Sequence, residues 1–255
     1  MNEETKIPLP QDIDPLKGVY HESIVDHPGH LRNLAKRDTA LLVIDMQFLD
    51  AARGHGVFSE DFANDVSSAA QNYYFDSLEK TVIPNIRRLQ NGFRNNGLEV
   101  IHTRIQSLTQ DGRDRGAGHK RLHILAPPGS KEAEFLPQVA PVGDEIVINK
   151  TSSGVFSTTN LYYVLKNLGI DALFVVGVYT NECVDTTVRA ACDLGFLVTL
   201  VGDACTTVTP SLHDATIATL RDRYARVIDT QQAVEEIDRC VPKPAEPRLA
   251  VSDPV

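Results

Sequence analysis

The sequence predicts a single three-layer α/β/α domain on a mainly parallel sheet. Three observations carry that expectation. Short β-branched apolar runs alternate with stretches of helical period from residue 40 to residue 228. The strand-like runs are apolar throughout, which implies burial on both faces and a sheet covered by helices. The 255 residues suffice for one large α/β core without disulfide or metal support.

The elements follow in order. Ala40–Ile44 (ALLVI) reads as a buried strand. Residues 78–96 read as a helix, with Val82, Ile83, Ile86 and Leu89 at helical spacing and Asn95-Asn96-Gly97 as its stop. LEVIHT (98–103) and EIVI (145–148) are the second and third strands. A helix is expected over 159–167, with Ser157 or Thr158 as its cap and Gly169 past its end. ALFVVGV (172–178) is the fourth strand, 181–194 a helix ending at Gly195, and FLVTLV (196–201) the fifth strand. A helix over 213–225 and a short strand at 226–228 close the pattern.

The domain is expected over residues 39–240. Residues 1–38 are polar, carry Pro8, Pro10, Pro15 and Pro28, and read as an N-terminal extension; residues 241–255, with Pro242, Pro244, Pro247 and Pro254, read as a loose tail. Residues 50–75 and 106–143 are too long for ordinary βα connections. Both follow strands, so both are expected over the carboxyl edge of the sheet, where such folds bind ligands.

Composition excludes several classes. The formal net charge of −9 argues against a nucleic-acid footprint, which needs clustered Lys and Arg. No apolar run approaches the length of a membrane span, and MNEETKIPLPQ does not read as a secretory signal. Four cysteines without secretory context are poor evidence for disulfides, so a cytoplasmic protein is expected. No Cys/His spacing suits zinc, and neither a G-x-G-x-x-G fingerprint nor a P-loop occurs, so no metal or cofactor is expected.

Three residues stand where chemistry is favoured. Asp45 follows the first strand directly; an acid at that depth is poorly solvated and serves either as a proton acceptor or as a cap of the next turn. Cys183 falls in the expected first turn of the 181–194 helix, where free amides favour a thiolate and can receive an oxyanion. Its bland alternative is a small residue packing helix on sheet, which fits Cys192 and Cys205 better. Lys150 ends the third strand region, either as a loop lysine or held at the same edge. Together they form a cysteine-nucleophile set with a carboxylate as base. Among the eight histidines, His102 and His213 leave a Cys-His dyad open.

Three segments, ALLVIDMQ (40–47), INKTSSGVFSTTNL (148–161) and GVYTNECVDTTVRAACDLGF (177–196), resemble the isochorismatase-like cysteine hydrolases, in order and at that family's spacing. The resemblance implies a six-stranded sheet of order 3-2-1-4-5-6, with Asp45 as base, Lys150 as its lysine and Cys183 as nucleophile. It also implies a cis peptide at Val178–Tyr179 and an oxyanion held by the backbone amides of Tyr179 and Cys183. In that order Lys150 lies two strands, roughly 10 Å, from Asp45, a gap that closes only if its loop bends inward.

An intact cysteine points to amide hydrolysis. Where the family's nicotinamidases place a metal-binding Asp-x-His after the second strand, this chain has Arg104. The nearest resemblance is to the ureide and carbamoyl amidohydrolases. The expectation is cleavage of a small ureide, carbamoyl or carboxamide C–N bond through a thioester, with ammonia released. Gln47 and Arg104 are the candidate substrate-binding residues, with Arg113, Arg115 and Arg121 as further carboxylate binders. A metal-dependent nicotinamidase and a catalytically silent small-molecule binder remain as alternatives. Family members usually assemble, so a homo-oligomer is implied.

Overall fold

The computed structural model describes residues 15–60, 62 and 66–242. Its six strands are β1 (Thr39–Ile44), β2 (Glu99–Ile105), β3 (Ile146–Lys150), β4 (Ala172–Gly177), β5 (Leu197–Cys205) and β6 (Arg226–Ile228). They form one sheet of order β3-β2-β1-β4-β5-β6 with every neighbouring pair parallel, the topology expected from the sequence.

The central strand shows why its sequence is apolar throughout. Every residue of β1 is buried, and successive side chains enter opposite layers. Leu41 and Val43 pack with Ile86, Leu89 and Phe93 of the Ile83–Asn95 helix and with Ala233 and Ile237 of the Thr230–Cys240 helix. Leu42 and Ile44 pack on the other side with Leu161 and Leu165 of the Leu161–Asn167 helix and with Val188 and Ala191 of the Asp185–Asp193 helix. Removing Phe93 by an alanine substitution would leave a large hole in the first layer, a class of change that costs about 3–5 kcal/mol.

Several boundaries differ from expectation. The helix expected from residue 78 begins at Ser68, where the Ser67 hydroxyl accepts the Ala70 N–H, and it runs through a wide turn at Leu78–Val82 into Ile83–Asn95. Ser157 and Thr158 cap nothing; they lie in a separate Val155–Thr158 turn, and Thr159 accepts the Leu161 N–H instead. The helix expected over 213–225 is Pro210–Leu220, capped by Thr209. The Thr230–Cys240 helix has no counterpart in the sequence reading; Asp229 caps it by accepting the Gln232 N–H. Residues 17–36, read as part of a polar N-terminal extension, hold the helices Lys17–Ile24 and Gly29–Lys36, and the second buries Leu34 in the first layer. The expected tail beyond Pro242 lies outside the described residues.

The two long connections both leave carboxyl ends of strands, from β1 and β2. They meet each other through an antiparallel bridge between Gln47 and Phe135, with the Phe48 N–H on Glu134 O and the Leu136 N–H on Met46 O at 2.9 Å each. Among the described residues no helix is long and apolar enough to cross a membrane.

Candidate active site

At the carboxyl edge of the sheet the β1 and β4 chains come into very close approach. Gly177 ends β4 with φ +116°, and a Cβ there would stand 2.1 Å from Ile44 O, so only glycine fits. Asp45 follows β1 with φ 50°, its N–H on Thr103 O at 3.1 Å. On the β4 side the Val178–Tyr179 peptide is cis, as the resemblance implied, and a wide turn at Thr180–Val184 leads into the Asp185–Asp193 helix. That turn is pinned by the Thr180 N–H on Thr206 O at 3.0 Å, by Thr180 Oγ1 against His213 Nδ1 at 2.9 Å, and by Thr187 Oγ1 donating to Cys183 O at 2.6 Å.

The structure brings Asp45, Lys150 and Cys183 together. Lys150 Nζ lies 2.7 Å from Asp45 Oδ2 and 3.3 Å from Cys183 Sγ, and donates to Ser152 O at 3.1 Å. Asp45 and Lys150 are wholly buried, and Cys183 nearly so. No loop has to bend inward for this contact. Lys150 is the last residue of β3, on the same face as Ile148, and its stem crosses beside β2 to the space between β1 and β4. Thr103 Oγ1 donates to Asp45 Oδ1 at 3.2 Å, a contact with no signal in the sequence beyond its place one strand over.

The electrostatics correct one expectation. The sequence reading gave Cys183 a lowered pKa from helix amides. In the structure burial, then the charge of Asp45, holds it well above the usual thiol range, with Lys150 pulling the other way. Cys183 therefore rests as a thiol. Lys150 is held charged: burial alone would lower its pKa, but the charge and hydrogen bond of Asp45 raise it above the ordinary lysine value. A buried lysine keeps its proton here because a carboxylate is in contact with it.

Two candidate substrate-binding residues have other work. The Gln47 side chain is fully buried and spent on backbone: its amide donates to Ile105 O and Glu132 O at 2.9 and 2.8 Å, and its Oε1 accepts the Ile105 N–H at 2.6 Å. It ties the β1 connection to the β2 connection. Arg104 lies on the face of β2 opposite Ile105, and so opposite the paired Lys150. It donates to Asn149 Oδ1 at 2.7 Å and Ala133 O at 2.8 Å. Of the loop arginines, Arg113 pairs with exposed Asp111, and Arg115 is held by Gly112 O and Ile124 O. His102 is packed on the far face against Glu145, and His213 holds Thr180, so neither stands in for the base.

The residues do not suit the nicotinamidase metal. Arg104 occupies the position that would offer its histidine, and among the described residues no group of three His, Cys, Asp or Glu side chains gathers as a metal set. Two buried polar residues near the trio were not singled out by the sequence: Asp50, in the Phe48–Ala51 turn, and His119, in the Ala117–Arg121 helix of the 106–143 connection. Burial, then the charge of Lys150, lowers the His119 pKa.

Acid, lysine and thiol thus meet at the switch point of a parallel α/β sheet, and comparison with known proteins places the chain in a family. A profile of the isochorismatase domain matches residues 39–232. The chain belongs to the isochorismatase family. It is 28% identical over 218 residues to the ureidoacrylate amidohydrolase RutB of Acinetobacter baylyi, covering 79% of this chain and 84% of the relative. It is 26% identical over 183 residues to an N-carbamoylsarcosine amidase of Arthrobacter, covering 70% and 69%. In fold it resembles a cysteine hydrolase from Pseudomonas syringae pv. phaseolicola, with TM-score 0.65, 22% identity, and 79% and 93% of the two chains covered.

Proposed function

We propose that this protein is a cysteine-dependent amidohydrolase that cleaves a small ureide, carbamoyl or carboxamide C–N bond and releases ammonia. The observation that supports it is the placement of Lys150 Nζ between Asp45 Oδ2 and Cys183 Sγ, at 2.7 and 3.3 Å, buried at the carboxyl edge of the sheet. Relatives with amidase and amidohydrolase activities support the bond class.

The resting charges suit the chemistry. Asp45 takes the proton of the Cys183 thiol as the sulfur attacks the carboxamide carbon. Lys150 stays protonated and offsets both the carboxylate and the growing thiolate, so the buried charge never exceeds one unpaired unit. The amides of Tyr179 and Cys183 receive the oxyanion. Collapse breaks the C–N bond, Asp45 returns its proton to the leaving nitrogen, and ammonia departs from a thioester. Water then attacks the thioester, Asp45 takes its proton and passes it to the leaving sulfur, and the Cys183 thiol and the Asp45 carboxylate are regenerated. With a ureide whose substituted nitrogen leaves first, the carbamoyl thioester would be hydrolysed to carbamate, which breaks down to carbon dioxide and ammonia. Thr103 fixes the carboxylate so that Oδ2 faces Lys150.

A panel of small amides and ureides, assayed for ammonia, tests this. Wild-type protein is expected to hydrolyse at least one member, and Cys183→Ala none. Full activity in the alanine variant overturns the mechanism. Nicotinamide belongs in the panel because a nicotinamidase of Arabidopsis thaliana is also a relative, 27% identical over 159 residues.

A further inference from the structure

The mechanism makes no use of Asp50, yet its environment is that of a working group. Asp50 lies five residues past the proposed base, in the turn that opens the first long connection. Both the Tyr74 and Tyr179 hydroxyls donate to its backbone carbonyl, at 2.7 and 3.1 Å. Tyr179 is the residue that leads into the Cys183 turn, so this clasp fixes Asp50 beside the site. The residue is 6% exposed, and its Oδ2 is buried without a hydrogen-bond partner among the described residues.

The groups around it are Asp45 after β1, Lys150 from β3, exposed Glu182 and buried Cys183 from the 180–184 turn, and Tyr74 and Tyr179. Burial, then the charge of Asp45, raises the Asp50 pKa well above the usual carboxylate value, with Lys150 opposing and Glu182 adding to the rise. A carboxyl buried with an unpartnered Oδ2 beside a second carboxylate favours the neutral acid form. Such an acid offers one O–H donor and one carbonyl acceptor side by side. An amide offers the matching N–H and C=O, so the two close a ring of two hydrogen bonds. A substrate carboxylate has no N–H to return, and it would bring a second negative charge beside Asp45.

We propose that Asp50 is a specificity-determining residue that pairs, as a neutral acid, with a second amide group of an uncharged substrate, so that the site selects neutral diamides and ureides over carboxylate-bearing amides. This rests on the amidohydrolase reading, but binding tests it without turnover.

Malonamide, its half-acid malonamate, and propionamide form a near-isosteric series that varies only the second group. Calorimetric titration of Cys183→Ala protein is expected to show malonamide binding at least tenfold tighter than malonamate. Adding Asp50→Ala is expected to weaken malonamide at least tenfold more than propionamide, and Asp50→Asn, which keeps a donor and an acceptor, to restore most of the loss. As pH rises and Asp50 ionises, malonamide affinity should fall in the parent and stay level with Asp50→Asn. Equal or tighter malonamate binding, or equal losses on all three ligands, overturns the assignment. If Asp50→Ala does not fold, the pH comparison with Asp50→Asn decides alone. Tight malonamide binding with no ammonia released by wild-type protein from malonamide or any member of the amide and ureide panel would instead overturn the hydrolase reading and leave the Asp50 pairing standing.

Discussion

Two buried ion pairs, one at the β6 edge of the sheet and one at its centre, are built differently. Arg226 of β6 meets Glu236 of the Thr230–Cys240 helix through two bonds of 2.9 Å each, and the guanidinium also donates to Thr199 Oγ1 at 3.2 Å. Lys150 meets Asp45 at one point and divides its remaining donors between a backbone carbonyl and a thiol. The first pair is two-pronged and closed, a clamp between strand and helix. The second is shared with a group that can lose a proton, so its charge balance can change without any part moving away. Burial makes both pairs costly to break, but only the shared one has somewhere for a proton to go.

The sharpest way to break the comparison is Asp45→Asn. Turnover is expected to fall about 10²–10⁴-fold, the usual range for loss of a general base, read as ammonia release from the best amide of the panel. The same change removes a charge that holds the Cys183 pKa up and leaves Lys150, which pulls it down, so Cys183 should react with iodoacetamide at lower pH than in wild type. An unchanged alkylation profile would mean the carboxylate does not act on the sulfur.

Glu236→Ala tests the other pair. It strands a buried guanidinium and should cost about 3–5 kcal/mol in denaturant unfolding, while ammonia release per folded molecule keeps its wild-type value.

His30 extends the contrast to pH. It sits in the Gly29–Lys36 helix, its Nε2 against Ile24 O at 2.7 Å and its Nδ1 3.4 Å from Thr199 Oγ1, the same hydroxyl that Arg226 contacts. Burial, then the charge of Arg226, lowers its pKa to about 4. The unfolded chain takes up a proton near pH 6.5 that the folded protein refuses. Stability from this residue is therefore complete above pH 6.5 and drains away as pH falls toward 4, by about 3 kcal/mol in all. His30→Gln should lose correspondingly less stability between pH 7 and 4.5 than wild type, measured by chemical unfolding at each pH.

The smallest expected effect is Thr103→Val. It removes the donor on Asp45 Oδ1, and loss of one hydrogen bond to a charged group is worth about 1.5–3 kcal/mol. A fall in kcat of about tenfold or more, with KM little changed, would mark Thr103 as a residue that positions the base.

The same contrast explains what could be read from the sequence. The central strands β1 and β4 were legible because each is apolar and buried on both faces, and the Asp45, Lys150 and Cys183 positions because each follows or ends an apolar run. The Thr230–Cys240 helix was not legible, because its buried stripe is Thr230, Ala233, Glu236 and Ile237. Two of the four are polar, and Glu236 is inside only because Arg226 from β6 is there to meet it. The same holds for Gln47 and Arg104. Their types suggest ligand contacts, but one is consumed by backbone groups of a distant connection and the other faces the wrong side of its strand. Asp50 and His119 carry no periodic signal at all; only the folded connections bring them beside the trio.

The missing methyl group at Gly177 has a consequence for how such a protein can diversify. With a hypothetical Cβ already 2.1 Å from Ile44 O, the gap between the two chain segments that bear Asp45 and Cys183 has no slack. The floor of the site works as a fixed gauge, and sequence drift there would put the carboxylate and the thiol out of alignment. The two connections after β1 and β2 lie outside that close approach, so insertions and exchanges in them leave the gauge untouched.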